Sequence, residues 1–307
     1  MLETAAPAAL SVVTRRQIEA RGADNLLDAL RGETGVSLQG RAIGGRKVLS
    51  LRGMDSKHTL FLVDGRRVGA SDGVIGHSDF QYDWIAVEDI ERIEVVRGPM
   101  SVLYGSEALG GVVNVITRAP GDTWRGSASA EGSRADGGRG GDGQRVALRL
   151  DGPLGAGRGL FLRAGAAATR LDALASAADP LISELEGREK DDAWLGLAWR
   201  GDGRRVDFEH RAGREQRDAG ARERSGRRRY HDTVNLLERA LTSLGWETAW
   251  TGAAGLPAGT GQLRAYRSRL DVENQRSAGV AVNPPQQIDD RVLEGQARMG
   301  FGAHALT

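Results

Sequence analysis

From Trp124 onward the chain keeps returning to one pattern, with apolar or small residues at every second position and polar ones between. Trp124, Gly126, Ala128 and Ala130 alternate with Arg125, Ser127, Ser129 and Glu131, and Val146, Leu148 and Leu150 alternate with Arg145, Ala147 and Arg149. The same period runs through Ala193, Leu195, Leu197 and Trp199, then Val206, Phe208 and His210, then Leu244, Trp246, Thr248 and Trp250. It returns at Tyr266, Ser268 and Leu270, and again from Leu293 through Gly295, Ala297 and Met299 to Phe301. Leu160 to Ala166 is apolar on both faces except at Arg163. Side chains of an extended strand point to opposite faces in turn, so these roughly eight segments predict strands with two unlike faces. An outer-membrane β-barrel has this signature, and so has a soluble β-sandwich or β-solenoid. An aromatic content of 5% favours the soluble form slightly. Trp246 and Trp250, on one face, favour the barrel slightly as interface anchors.

Composition narrows the choice by exclusion. No run of about 18 apolar residues exists, so no transmembrane helix is expected, and a mean hydropathy of −0.38 is compatible with strands that need only alternate residues apolar. A net charge of +1 argues against a basic nucleic-acid binder. Cysteine is absent, which removes disulfide frameworks and thiolate metal sites. Glycine is frequent, 44 residues against 8 prolines, a balance that suits tight turns and close strands. The start, Met1 to Leu10, lacks the basic region and apolar core of a signal peptide, so an exported protein would have an incomplete N-terminus here.

Before residue 120 the pattern is mixed. Thr14 and Gln17 have capping-box spacing and open a short helix towards Arg21. Asp24 is the expected N-cap of a second helix that carries Leu26, Leu27 and Leu30 on one side and stops at Gly32. Val36 to Leu38, Val48 to Leu51 and Thr59 to Val63 read as strands. Asp64-Gly65 then turns the chain into Arg66 to Val68, because both turn residues tolerate positive φ. Ile90, Ile93 and Val95 lead into Gly98-Pro99, a rigid turn, and Val112 to Thr117 is a β-branched strand. Gly105, Gly110 and Gly111 allow close backbone approach before that strand. Gly105 and Gly110 have the outer spacing of a P-loop, but Gly111 stands where the lysine belongs, so phosphate binding is not expected. The five histidines lack metal-ligand spacing, and no serine sits in a nucleophile elbow; no enzyme site, metal site or cofactor is expected.

The stretch WIAVEDIERIEVVRGPMSVLYGSEALGGVVNVIT, Trp84 to Thr117, resembles the plug signature of TonB-dependent outer-membrane receptors. Residues 11–38 and 48–68 resemble the same family, in its order and spacing. The segment GHSDFQYDWI before it is similar to the colicin I receptor and ferric-enterobactin branch, which takes up catecholate-type iron chelates. The resemblance implies an α+β plug domain over residues 1–119, then the N-terminal part of an antiparallel transmembrane β-barrel over 120–307, with about 8 of about 22 strands. It implies a Gram-negative outer-membrane location, capture of a ferric siderophore and transport energised by TonB. Further implied partners are outer-membrane lipid and colicin or phage. The iron would be held by the chelator. Cobalamin, haem or another chelate is the alternative cargo.

The family's plug arginines that face barrel glutamates correspond here to Arg52 and Arg97; the alternative is that each caps its own turn. Apical plug loops are the expected ligand surface. Gly69 to Asp83 offers Arg66 and Arg67 beside it, with His77, Gln81 and Tyr82, and a second loop offers Arg41, Arg46 and Lys47. Cations and aromatic rings suit an anionic, aromatic ferric chelate. A basic run, Arg222 to Arg229, could meet lipopolysaccharide phosphate or ligand, or simply be solvated. No TonB box precedes the plug pattern, and the barrel is short for the family. The chain is therefore expected to be a fragment, which as such would bind weakly or do nothing.

Overall fold

The computed structural model describes residues 9–40, 44–68, 79–100, 108–155, 157, 159–222, 229–252, 257–277, 284–301 and 304–306. Arg41, His77 and Gly105 lie outside these.

The plug is built on a five-stranded sheet. Its strands are β1 (Ala9–Thr14), β4 (Thr59–Val63), β5 (Arg66–Arg67), β6 (Ile90–Arg97) and β7 (Gly111–Thr117), in the order β1-β6-β7-β4-β5. β2 (Val36–Gly40) and β3 (Lys47–Leu51) form a separate antiparallel pair. Helix α1 (Arg15–Ala20) starts with the expected reciprocal capping box between Thr14 and Gln17. Helix α2 (Leu26–Ala29) is capped by Asn25, not Asp24: the Asn25 side chain accepts from the Asp28 N–H. An N-cap must place its side-chain oxygen over the N–H of the second or third helical residue, and the helix starts one residue later than expected. Leu26, Leu27 and Leu30 are buried as the periodicity requires.

Two turns and one close strand crossing depend on glycine. Asp64 (φ 48°) and Gly65 (φ 77°) form the two-residue hairpin between β4 and β5, and the Asp64 carboxylate accepts from the Thr117 N–H and hydroxyl. Gly111 (φ 148°) crosses so close to β6 that a Cβ there would lie 2.2 Å from the Val96 carbonyl oxygen. Gly98, at φ 129°, donates its N–H to the Gly110 carbonyl and so closes the turn that runs through Pro99.

The wall is one antiparallel sheet. Its long strands are β8 (Arg125–Ser133), β9 (Gly143–Pro153), β10 (Leu160–Leu171), β13 (Gly187–Gly201), β14 (Arg204–Arg222), β15 (Tyr230–Trp250), β16 (Gly259–Arg276) and β17 (Gln286–Phe301). A short β18 (His304–Leu306) follows β17, and the small hairpin β11 (Leu174–Ala175) with β12 (Ser183–Leu185) interrupts the link from β10 to β13. The alternation seen in the sequence resolves into an apolar outer and a polar inner face. One row crosses six strands as Leu162, Leu197, Phe208, Leu244, Ala265 and Leu293, all outward.

The apolar band slides along the register from strand to strand. On β9 it occupies Val146 to Leu150, and Leu150 pairs with Ala164, two residues past that row. On β17 it runs from Leu293 in the other direction, and Arg291 and Asp289 already carry charge on the near side. A band level in a bilayer must slide in this way when strands tilt against the barrel axis. β14 and β15 stay paired well past the band, to Arg222 and Tyr230. The long link 172–186 lies at that tall end, whereas the two-residue turn 202–203 closes the other. Short turns mark the periplasmic side of such barrels, so the tall end faces outward from the cell.

The plug sits against the inner face. Its core, including Leu49, Phe61, Ile93, Val95 and Val113, is continuous with inward Leu237, Leu241, Tyr266, Leu270 and Val272 of β15 and β16. The expected α+β unit followed by antiparallel strands is present.

Candidate functional site: the plug–wall interface

Against β9, β10, β13 and β14 the plug is held by charge. Glu209, Arg211, Glu215 and Arg217 all point inward from β14, because they share its parity. A buried charge is tolerated only when paired, and each finds partners on the plug or on a neighbouring strand.

The interface has two layers. The lower one lies towards the periplasmic end. Arg66, turned inward by the Asp64-Gly65 hairpin, meets Glu209 at 2.8 Å and Asp207 at 3.3 Å. Asp89, fully buried just before β6, faces wall arginines from three strands: Arg211 at 2.5 Å, Arg149 at 3.6 Å and Arg163 at 3.7 Å. Arg163 also donates to the Thr117 hydroxyl and pairs with Glu209. Beside this layer lies a polar cavity of about 460 Å³ bordered by Arg66, Asn114, Arg163, Asp207 and Glu209. Higher on the wall, Glu88 takes a two-armed contact from Arg145, with Nη2 to Oε2 at 2.7 Å. Burial alone would raise the Glu88 carboxyl, but the Arg145 hydrogen bonds and charge outweigh it and hold it below the ordinary carboxylate range.

The upper layer is apical. Arg46 makes a forked contact with Glu186, Nη2 to Oε1 at 2.7 Å and Nε to Oε2 at 3.0 Å. The Glu186 N–H donates to the Gly44 carbonyl, and a Cβ on Gly44 would overlap the Glu186 side chain. Arg217, fully buried, pairs with Asp79, with Asp83 at 2.8 Å, and with Glu215 at 2.5 Å. Arg46 and Arg217 both lie over the Phe80 ring, 5.1 and 4.8 Å from its centroid. Arg188, Lys190, Arg239 and Asp192 complete a set with as many cations as anions. Burial would raise the Asp79 carboxyl; the charges of Arg217, Arg188 and Arg46 more than reverse this and leave it lowered.

Several expectations from the sequence are corrected here. Arg46 and Arg66 are not solvent-facing ligand cations; both are buried in ion pairs with the wall. Gln81 and Tyr82 are buried as well; the Tyr82 hydroxyl accepts from the Leu49 N–H and its ring stands edge-on to Phe61. Arg67 is half-buried, and its backbone N–H donates to the Tyr266 hydroxyl. Lys47 is exposed.

Arg52 and Arg97 meet no wall carboxylate among the described residues. Arg52 is exposed in a left-handed turn (φ 53°), and Arg97 donates to the Ser11 hydroxyl and the Thr34 carbonyl, both at 2.8 Å. Arg97 thus neither faces the wall nor caps its own turn but ties plug elements together, because it leaves β6 on the side where β1 and the 32–35 turn pack. Of the basic run, Arg222 lies 3.7 Å from Asp179 and Arg229 is exposed; residues 223–228 lie outside the described residues. The plug carboxylates Asp79, Asp83, Glu88 and Asp89 were missed by the sequence reading. Their signal was the alternating charge on β14, which called for opposite charge inside.

Residues 3–112 match the TonB-dependent Receptor Plug Domain. The iron-regulated outer membrane virulence protein of Vibrio cholerae is 40% identical over 156 residues, 48% of this chain and 23% of that protein. The ferric enterobactin receptor PirA of Pseudomonas aeruginosa is 37% identical over 156 residues, 47% of this chain and 21% of that one. The vitamin B12 transporter BtuB of Vibrio vulnificus is 38% identical over 141 residues, 46% of this chain and 21% of that one. The crystal structure of the siderophore receptor PirA from Acinetobacter baumannii superposes with a TM-score of 0.63 at 20% identity, over 86% of this chain and 48% of that one. PirA from Pseudomonas aeruginosa gives 0.57 at 24% identity, over 97% and 54%. The chain thus spans about half the length of these solved structures, and its matches cover under a quarter of the curated relatives. Residues 3–112 thus match a TonB-dependent receptor plug domain by sequence, and the plug and the antiparallel wall it sits against share the fold of solved siderophore receptors.

Proposed function

We propose that this chain serves in uptake of a ferric siderophore, with catecholate chelates favoured, in a receptor whose transport is energised through TonB. The observation that carries the reading is the interface. A plug sealed by buried ion pairs is firmly held while each charge has its partner, yet it can part without breaking a covalent bond once water reaches the charges. Such a seal suits a barrel that must stay closed and then admit a large solute. The branch is supported by the siderophore and ferric enterobactin receptors among the relatives. A plug domain over residues 1–119 and wall strands over 120–307 form the working division. Arg41, Lys47 and His77 remain the proposed ligand contacts, while Arg46 and Arg66 leave that role.

Cobalamin is the second reading, because a vitamin B12 transporter is 38% identical over 141 residues. Uptake by a receptor-deletion strain complemented with the complete gene separates them. Ferric enterobactin uptake is expected to depend on the gene and cobalamin uptake is not. The reverse outcome replaces the first reading with the second, and dependence of neither removes both.

A further inference from the structure

The two charge layers differ in how well they are satisfied. In the lower layer Arg66 Nε, Asp89 Oδ1 and two nitrogens of Arg149 are buried without a hydrogen-bond partner among the described residues, and the polar cavity adjoins it. In the upper layer none of the charged side chains named above has such an atom, and in segment 79–83 only uncharged Gln81 does, at Oε1. There the guanidinium of Arg217 is shared between two plug carboxylates, Asp79 and Asp83, and the aromatic ring between them in sequence, Phe80. Glu186 pairs with plug Arg46 and lies 3.8 Å from wall Arg217, so these two adjoining wall residues together hold plug segments 44–47 and 79–83. A partly satisfied buried network yields before a fully satisfied one.

From this we infer that Arg217 is a positioning residue for the uptake reaction. It pins the apical end of the plug to the wall and keeps segments 44–47 and 79–83 in fixed geometry while the lower layer opens. The role in uptake rests on the proposed siderophore reading; the pinning does not.

The test uses the complete receptor in outer-membrane preparations. With no cysteine in this chain, Lys47→Cys carries the spin label for the mobility measurement, and affinity and uptake are read with Lys47 in place. Arg217→Met removes the charge at similar bulk, and Arg217→Lys keeps the charge but loses the planar fork that reaches two carboxylates. Phe80→Leu removes the ring alone and serves if Arg217→Met does not fold. Asp89→Asn is the contrast in the lower layer. The expected result is a more mobile label in each apical variant and an unchanged label in Asp89→Asn. Ferric enterobactin affinity should fall roughly tenfold in Arg217→Met, within the range of coupling between sites, with uptake at saturating ligand kept. A label equally immobile in all apical variants overturns the inference, and so does equal loosening by Asp89→Asn. The label needs no ligand, so failure of ferric enterobactin to bind the unaltered receptor would count against the siderophore reading alone.

Discussion

Arg46 and Arg66 lie beside stretches that the sequence offers to a ligand, and both carry the right charge for a ferric chelate. Their burial is set by carboxylates far along the chain, Glu186 and Glu209, 140 and 143 residues away. No local pattern around position 46 or 66 announces such a partner, which is why both were taken for surface cations. Arg46→Ala should lower plug stability by about 3–5 kcal/mol, since it takes the forked partner from buried Glu186, and Arg66→Ala should cost less, since Glu209 keeps Arg163 and Arg211. A urea titration of the receptor followed by proteolysis of the plug measures the loss. Under conditions where the plug stays folded, ligand affinity in Arg66→Ala is expected to be unchanged; a direct ligand contact would weaken it there.

Acid gives a second residue-scale expectation. Glu88 and Asp79 sit below their ordinary values in the folded state. Their contribution is complete above the ordinary carboxylate values of about 4 and is lost as pH falls through the lowered, folded-state ones. Plug retention, followed by protease sensitivity from pH 7 to pH 2, should therefore hold steady to about pH 4 and decline below it. A decline confined to the range between pH 7 and pH 5 would assign the hold to other groups.

At the scale of single elements, the sequence was most legible where the chain itself dictates geometry. The capping box at Thr14, the Asp64-Gly65 hairpin and the close crossing at Gly111 all follow from local chemistry, and all are present. The α2 cap slipped by one residue because Asp24 and Asn25 are both good caps and only the helix start decides between them. Gly111→Ala puts a methyl group against the Val96 carbonyl at a backbone angle that alanine disfavours, and should cost about 2–4 kcal/mol, read as a lower urea midpoint for the plug. On the wall, Leu244 stands in the outward row. Leu244→Lys should cost up to about 2–4 kcal/mol in folding into bilayers, whereas a polar change at inward Ser243 should cost much less. A larger cost at Ser243 than at Leu244 would mean that the faces have been assigned the wrong way round.

At the scale of the whole molecule, the alternation after residue 120 specified a two-faced sheet but left open what each face meets. Only the plug makes the inner face intelligible: arginines on β9, β10 and β14 answer plug carboxylates, and an apolar patch on β15 and β16 completes the plug core. The resemblance of the first 120 residues pointed to a plug held by arginines at 52 and 97, whereas the contacts to these strands run mainly the other way, from plug acid to wall base. That reversal was not readable locally, because the partners belong to different layers of the fold and meet only when the wall is wrapped around the plug.

Whether buried ion pairs of this polarity hold the plug to the wall is decided by a double-mutant cycle across Asp89 and Arg211, with Asp89→Asn, Arg211→Met and the pair, scored by the urea midpoint for plug release. Direct coupling predicts single losses that fail to add, with an interaction term of about 0.5–3 kcal/mol. Two losses that simply add would show that Asp89 and Arg211 do not act on each other, and the account of the interface would fall with them.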